Sequence, residues 1–446
     1  MQEIINTRVM ETKKGGRVWL HGAKLDRLNW SKGEKYSREI IDDNTIVLTL
    51  DELGDKKVSG KNGDGLIDMC GQWVNEIFGK DELITATIQV GKIRVERHYE
   101  AMKQREREER ALNSPRLKEG SLCYGIGVSA HAVNKGLKES GIDTDISLIM
   151  EREPKYLHLA EKNNPTMKDC LLTVYGNIEE CNPDILPNLD IMKISLPCTG
   201  HSNLGKAKNG NKYAEQHKSD ATAIIGAIRV IGKTNPSVII SENVVQAKDS
   251  ATYILFKEEL KRTGYEIFEI ILDESHSDAL ETRKRYWFVA MSKNIAKGFS
   301  LDSIEKYIPE RKYNKIGDLL ECTGHDFFST QTFREREKKN KESGRSFKCN
   351  FVSDDSTFVG VIPRFYAKRQ VSNPHYKLKD LEFVRLFSPV EHARIKGIPE
   401  ELIKDAVKTT AHEGLGQSIL YAHAYILARA VGDHLFSMRA NVRIAA

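Results

Sequence analysis

The 446-residue chain has no long uncharged apolar run, and that lack excludes a bilayer-spanning helix. Its opening, MQEIINTRVMETKKGG, has no apolar core of the kind a secretory leader needs, so a cytoplasmic protein is expected. Cysteine is scarce: the seven residues at 70, 123, 170, 181, 198, 322 and 349 are odd in number and never form CxxC. This pattern argues for reduced thiols, against a disulfide framework and against a zinc site, and no metal is expected. Neither sign of charge dominates, because 68 Lys+Arg against 63 Asp+Glu leave a net charge of only +5. The distribution is less even: residues 291–380 hold 18 basic and 12 acidic side chains, a local excess of the kind that meets nucleic acid.

What is present implies two to four domains for this length. Residues 1–98 read as a small β-rich unit, with apolar alternation in RVWL (17–20), TIVLTL (45–50), LITATIQV (83–90) and KIRVER (92–97) between Gly-rich turns. The stretch GRVWLHGAKLDRLNWSKGEKYSREI resembles swapped-hairpin domains of the AbrB or SpoVT type, which implies a DNA-binding or dimerising accessory role. Residues 99–118 are charge-dense and read as a solvated helical linker. From 119 the pattern becomes strand-like runs separated by helical stretches: SLCYGIG, DISLIM, CLLTVYG, DIMKISL, PSVIISENV, EIFEIIL and RYWFVAMS. Such alternation predicts an α/β domain with a mostly parallel sheet. The segment 293–381 breaks the rhythm as an inserted domain or long loop carrying FREREKKNKESGRSFK, and helical periodicity returns in SPVEHARIKGIP and QSILYAHAYILARAVGDHL.

Three groups of residues carry chemistry. Gly125 and Gly127 follow a strand and precede a helix, where backbone amides can approach a nucleotide-like ligand, although ordinary turns share a GxG. Glu151 ends the next strand, where a carboxylate can accept from both ribose hydroxyls. Cys198 in LPCTGHS sits after a strand, on a loop at the carboxyl edge; alone it favours an inert buried thiol over a nucleophile. Glu242 in SENV ends another strand and is expected at the same edge, and a thiol beside a carboxyl suits covalent attack on an electron-poor ring. Arg283 and Arg285 in TRKRYWFVA alternate into a strand, so both are expected on one face, suited to phosphate or a carbonyl oxygen.

The ordered set LCYGIG, Glu151, LPCTGHS, SENV, TRKRYWFVA, SPVEHARIKGIP and GLGQSI resembles the DNA (cytosine-5) methyltransferase family over residues 119–446. The resemblance implies a Rossmann-like S-adenosylmethionine-dependent catalytic domain, 119–292 with 382–446, and an inserted target-recognition domain, 293–381. It implies that Cys198 attacks C6 of a flipped cytosine in duplex DNA, that Glu242 holds the exocyclic amine and N3, and that Arg283 and Arg285 contact O2 and nearby phosphate. The cofactor is expected on Tyr124, Gly125, Ile126, Gly127, Glu151, Asn177, Ile178, Pro197, Gln417 and Ser418. DNA contacts are expected from Ser202, Lys206 and Lys208 of the loop after the cysteine, and from Arg334, Arg336, Lys338, Lys339 and Arg345 of the basic segment.

This sequence departs from the family pattern at Cys123, Val128, Asn177, Thr199, His201, Glu281 and Gln417, which touches cofactor affinity and loop closure more than the reaction. A tRNA cytosine-5 methyltransferase on the same fold is the alternative enzyme, and a DNA-binding transcriptional regulator fused to a methyltransferase is the alternative from another class. The expected partners are double-stranded DNA, a cognate restriction endonuclease and a second copy of the chain through the N-terminal domain. The setting is a bacterial, phage or plasmid-encoded protein at the nucleoid.

Overall fold

The computed structural model describes residues 1–197, 222–321 and 326–445, with side chains to 442. It divides into two compact units, Met1–Glu106 and Arg107–Ala446. Among the described residues no helix is long and apolar enough to cross a membrane.

The first unit contains ten strands: β1 (Gln2–Arg8), β2 (Met10–Thr12), β3 (Gly15–His21), β4 (Lys35–Asp42), β5 (Thr45–Leu50), β6 (Lys56–Lys57), β7 (Ser59–Lys61), β8 (Asp64–Gly71), β9 (Leu83–Gln89) and β10 (Lys92–Arg97). TIVLTL and KIRVER coincide with β5 and β10, because alternation on a half-buried strand is legible residue by residue. The strands form two sheets, ordered β1-β9-β10-β5-β4-β6 and β2-β3-β8-β7. Both orders are palindromes of two equivalent halves. A shift of 49 residues carries β2 onto β7 and β3 onto β8; shifts of 48 and 47 carry β4 onto β9 and β5 onto β10. The β3/β8 ladder is centred on Trp19 opposite Asp68, flanked by Val18 opposite Met69 and Leu20 opposite Ile67, so it is symmetric under the same shift. The opening strand of each half pairs with the other half: β1 with β9, and β6 with β4. Core positions recur as well, in Val9 and Val58, Leu25 and Val74, and Ile46 and Ile93, all buried. Gly22 and Gly71 precede the two short helices at φ 118° and 149°, a region that side chains with a Cβ rarely adopt. The swapped-hairpin resemblance of the sequence covers only the first of these halves.

The second unit is built on a seven-stranded sheet of β11 (Leu117–Leu122), β12 (Thr144–Glu151), β13 (Thr173–Tyr175), β14 (Ile191–Ile194), β15 (Val238–Asn243), β16 (Tyr265–Leu272) and β17 (Arg285–Ser292). Its order is β13-β12-β11-β14-β15-β17-β16. The first five strands are parallel and β17 runs antiparallel to both its neighbours. Helices cover both faces, which is why the parallel strands are continuous apolar runs. On one face Ile191, Val238, Ile240, Trp287 and Val289 meet Val133 and Leu137 of the helix Val128–Glu139 and Leu427, Val431 and Leu435 of the helix Tyr421–Ala445. On the other, Met192, Ile194, Ile239 and Phe288 meet Ala227 and Val230 of the helix Ala223–Thr234 and Phe256 and Leu260 of the helix Ala251–Arg262. Strand order reverses between β11 and β14, the crevice in which open α/β sheets bind ligands.

One segment differs from the sequence expectation, and for another the structure selects between two. The charge-dense stretch forms the helix Tyr99–Asn113 and is not wholly solvated, since Arg107 and Glu108 are buried. Arg107 donates to Ser292 Oγ (2.8 Å) and to the carbonyls of Thr263 and Gly264 (2.8 and 3.0 Å), and Glu108 accepts from the Asn294 backbone at 3.0 Å. Of the two forms expected for 293–381, an inserted domain or a long loop, the structure holds regular elements in the part around the basic segment. That part forms the helix Thr330–Glu342 beside a small sheet of β18 (Phe328–Ser329), β19 (Asn350–Val352), β20 (Pro374–Lys377) and β21 (Phe383–Arg385), ordered β18-β21-β20-β19. Upstream of that sheet, Ile295, Phe299 and Ile304 pack into the core of the large sheet.

Candidate active site

The carboxyl ends of β11, β12, β13, β14 and β15 converge on one edge. After β11, Gly125 (φ 60°) and Gly127 (φ 76°) lie in the left-handed region, which turns the chain into the N-terminus of the helix Val128–Glu139. At Gly125 an added Cβ would find only Gln417 Nε2, 3.9 Å away, so the backbone there is open to a ligand. At Gly127 it would collide with Tyr124 and Asn164, so that glycine serves packing. The side chains of Tyr124 and Ile126 turn inward: the Tyr124 hydroxyl pairs with Thr166 Oγ1 at 2.8 Å, and Ile126 joins the core. Burial pushes the Tyr124 phenol up, outweighing Thr166. The turn therefore offers a ligand the backbone of these two residues.

Glu151, at the end of β12, is the carboxylate of this turn. Its Oε2 accepts from the Gly125 N–H at 2.7 Å and its Oε1 from the Glu153 N–H at 3.0 Å. A carboxylate has about four lone-pair sites, so two remain for hydroxyl donors. Asn177 and Ile178 follow β13; Asn177 is turned to Glu180 Oε1 (3.1 Å) and Ile178 is buried. Ser418 Oγ donates to the Gly414 carbonyl at 2.6 Å, closing the helix Lys408–Gln417 and leaving Gln417 beside Gly125. Pro197 is half-buried past β14.

The two arginines have different partners. Strand β17 begins only at Arg285, so the alternation does not extend back to Arg283. Arg285 Nε lies 3.1 Å from Glu242 Oε1, and this ion pair joins β17 to the end of β15. Arg283 is 3% exposed and donates to Glu281 Oε1 (3.3 Å) and to the Gly416 carbonyl (3.1 Å). Glu281 in turn accepts from Lys396 Nζ (2.7 Å) and from the Ile362 N–H (2.8 Å). Burial would push the Glu281 carboxyl up, but Lys396 and Arg283 together hold it below the usual carboxylate range. Arg283 thus pairs with Glu281 and the Gly416 turn, whereas Arg285 pairs with Glu242 at the end of β15. The departure at Glu281 makes physical sense beside Lys396: a carboxylate there needs the buried ammonium, and the ammonium needs it.

The expected nucleophile Cys198, with Thr199, His201, Ser202, Lys206 and Lys208, lies outside the described residues. The other expected DNA contacts are described. Ser329 caps the helix Thr330–Glu342, and Phe333 anchors it, its ring centroid 4.4 Å from that of His375. Arg334, Arg336, Lys338, Lys339 and Arg345 are all exposed, and Arg334 reaches Glu382 at 3.6 Å.

One buried cation of the cleft is not singled out by any motif. Lys193, in the middle of β14, is 4% exposed. Its signal in the sequence is the single charge between the apolar residues of DIMKISL.

A family model described as C-5 cytosine-specific DNA methylase matches residues 117–433. Curated relatives include the Type II methyltransferase M.BsuFI of Bacillus subtilis, 23% identical over 269 residues, covering 58% of this chain and 62% of that protein. The Type II methyltransferase M1.ScrFI of Lactococcus lactis subsp. cremoris is 22% identical over 254 residues, covering 55% of this chain and 62% of that protein. The chain thus matches less than two thirds of the length of either relative. Among solved structures, the S. pombe Dnmt2 methyltransferase superposes with a TM-score of 0.55 at 19% identity, over 70% of this chain and 98% of that one, a likeness of fold: the Rossmann-like methyltransferase α/β sheet. With the family model spanning most of the chain, this protein belongs to the C-5 cytosine-specific DNA methylases.

Proposed function

We propose that the chain methylates C5 of a cytosine flipped from duplex DNA, through a covalent bond between Cys198 Sγ and C6 of the ring. The single observation that carries this reading is the Glu242–Arg285 pair at 3.1 Å, at the sheet edge that also holds Glu151 and the open Gly125 turn. The residues present fit S-adenosylmethionine: open backbone at Gly125, an anchored carboxylate with free acceptor sites at Glu151, and Gln417 alongside. When bound, that cofactor supplies an electrophilic methyl group. The chain's own residues supply the rest. Attack by the Cys198 thiolate on C6 makes C5 electron-rich, and Glu242 accepts from the exocyclic amine and keeps N3 protonated, so negative charge does not accumulate on the ring. Arg285 holds Glu242 in place and is the arginine positioned for O2. Loss of the C5 proton then expels Cys198 and restores the ring. In this reading 119–292 with 382–446 is the catalytic domain, 293–381 the target-recognition domain, 1–98 an accessory domain and 99–118 its connection.

The test is Cys198→Ser. Labelled methyl incorporation into duplex DNA should fall below detection while S-adenosylmethionine still binds in a titration. Persisting transfer, or cofactor binding lost together with activity, would show Cys198 to be a structural residue.

A further inference from the structure

The helix Lys408–Gln417 carries no cation in its last turn, and the carbonyls at a helix C-terminus need donors from elsewhere. Ser418 serves two of them, its Oγ reaching the Gly414 carbonyl at 2.6 Å and its N–H the Leu415 carbonyl at 3.1 Å. The next two are met by cations from distant segments. Arg283 donates to the Gly416 carbonyl at 3.1 Å, and Lys396 Nζ donates to the Ser418 carbonyl at 3.1 Å. Those carbonyls stand immediately before and after Gln417, which is itself exposed. Both cations meet on one carboxylate: Glu281 Oε1 accepts from Arg283 at 3.3 Å and Oε2 from Lys396 at 2.7 Å. The side chains of Lys396 and Glu281 are fully buried. Their frame is fixed, because the Ile362 N–H holds Glu281 Oε1 at 2.8 Å and the Tyr421 N–H holds the Lys396 carbonyl at 3.2 Å. Gly416 backs directly onto the Pro363 carbonyl, where a Cβ would not fit. The same segment meets the glycine turn after β11: a Cβ on Gly414 would lie 2.8 Å from Ile126, and one on Gly125 would lie 3.9 Å from Gln417 Nε2. A buried ion cluster adds little net stability over apolar packing of the same volume, so its worth here is the geometry it fixes.

We propose that Lys396 is a positioning residue for cofactor binding: it holds the Ser418 carbonyl as Arg283 holds the Gly416 carbonyl, and the two bonds set Gln417 against the Gly125 turn. The inference rests on the cofactor site proposed above. Lys396 acts through Gln417 and touches no ligand itself. What its ammonium contributes is a donor aimed at Ser418, so a neutral donor in the same place should serve.

The experiment is a calorimetric titration of the full chain with S-adenosylmethionine, without DNA, for the wild type and two double variants. In Glu281→Gln with Lys396→Gln, the amide at 281 still accepts from Ile362 and Arg283 and donates to the amide at 396, which donates to the Ser418 carbonyl. In Glu281→Gln with Lys396→Met, the bond to Ser418 is lost. Both leave the cluster the single net positive charge it has in the wild type, so their melting temperatures should lie close together. The first should bind S-adenosylmethionine within about threefold of the wild type and the second about tenfold more weakly, the scale of one hydrogen bond. On a Gln417→Ala background the difference between the two should vanish, because Lys396 acts only through Gln417. Should the methionine variant fold poorly, Lys396→Leu on the same Glu281→Gln background carries the same expectation. Equal affinities of the two folded double variants, or a difference that persists after Gln417→Ala, overturn the role of Lys396 alone. A wild type that binds no S-adenosylmethionine overturns this inference together with the reading beneath it.

Discussion

At the scale of single residues, the two arginines two positions apart show how one motif divides into unlike roles. Arg283 is enclosed with Glu281 and Lys396 and satisfies the Gly416 carbonyl, so its loss strands a buried carboxylate on one cation and leaves a carbonyl unpaired. Arg283→Gln should therefore cost about 2–4 kcal/mol of folding stability. Arg285 is less enclosed and meets Glu242 in the cleft, so Arg285→Gln should leave the melting temperature nearly unchanged and lower the single-turnover rate by about a hundredfold, the scale of losing one oriented donor. Thermal denaturation and rapid-quench kinetics on the two variants separate the roles. Equal effects of both variants on rate at equal stability would mean that both arginines touch the substrate.

At the scale of elements, the helix Thr330–Glu342 is held by Phe333 and presents Arg334, Arg336, Lys338 and Lys339 to solvent. If these side chains meet phosphates, replacing all four by Gln should make the dependence of log K on log salt shallower by about 0.9 for each phosphate no longer neutralised, with the rate at saturating DNA preserved. An unchanged salt slope in DNA-binding titrations would remove this helix from the interface. The same helix marks the limit of what the sequence reveals. The parallel strands of the large sheet are legible because burial on both faces turns them into apolar runs, and the antiparallel strand β17, next to the edge and equally buried, is RYWFVAMS residue for residue. The small sheet is not legible, because β18, β19 and β21 are two or three residues long and carry no period. Nor can charge density foretell that Arg107 and Glu108 are buried, since their partners Ser292 and Asn294 lie more than 180 residues away in sequence. In the site, motif order names Glu242 and Arg285, but their pairing depends on β17 lying antiparallel beside β15.

At the scale of the whole molecule, the duplicated N-terminal unit bears on assembly. A single half of this unit would leave its opening strand without the strand that receives it. Here the exchange closes within one chain, because β1 is received by β9 and β6 by β4. The edges of the larger sheet are poor templates for pairing: β6 has only two residues, both lysine, and β1 carries Glu3 and Arg8 along its length. The expected homodimer through this unit thus loses its physical motive. The full chain should run as a monomer of 50.5 kDa in light scattering after size exclusion, at micromolar concentration and at both low and moderate salt. A mass of twice that value would restore the dimer. Its dissociation by charge substitutions on the outward face of β1, such as Ile4→Lys, would place the interface at this edge, where Ile4 is 60% exposed. Without such a dimer, any two-fold symmetry this unit offers to a partner comes from one chain, about an axis through Trp19 and Asp68, and a palindromic DNA site would need only a single copy to meet it.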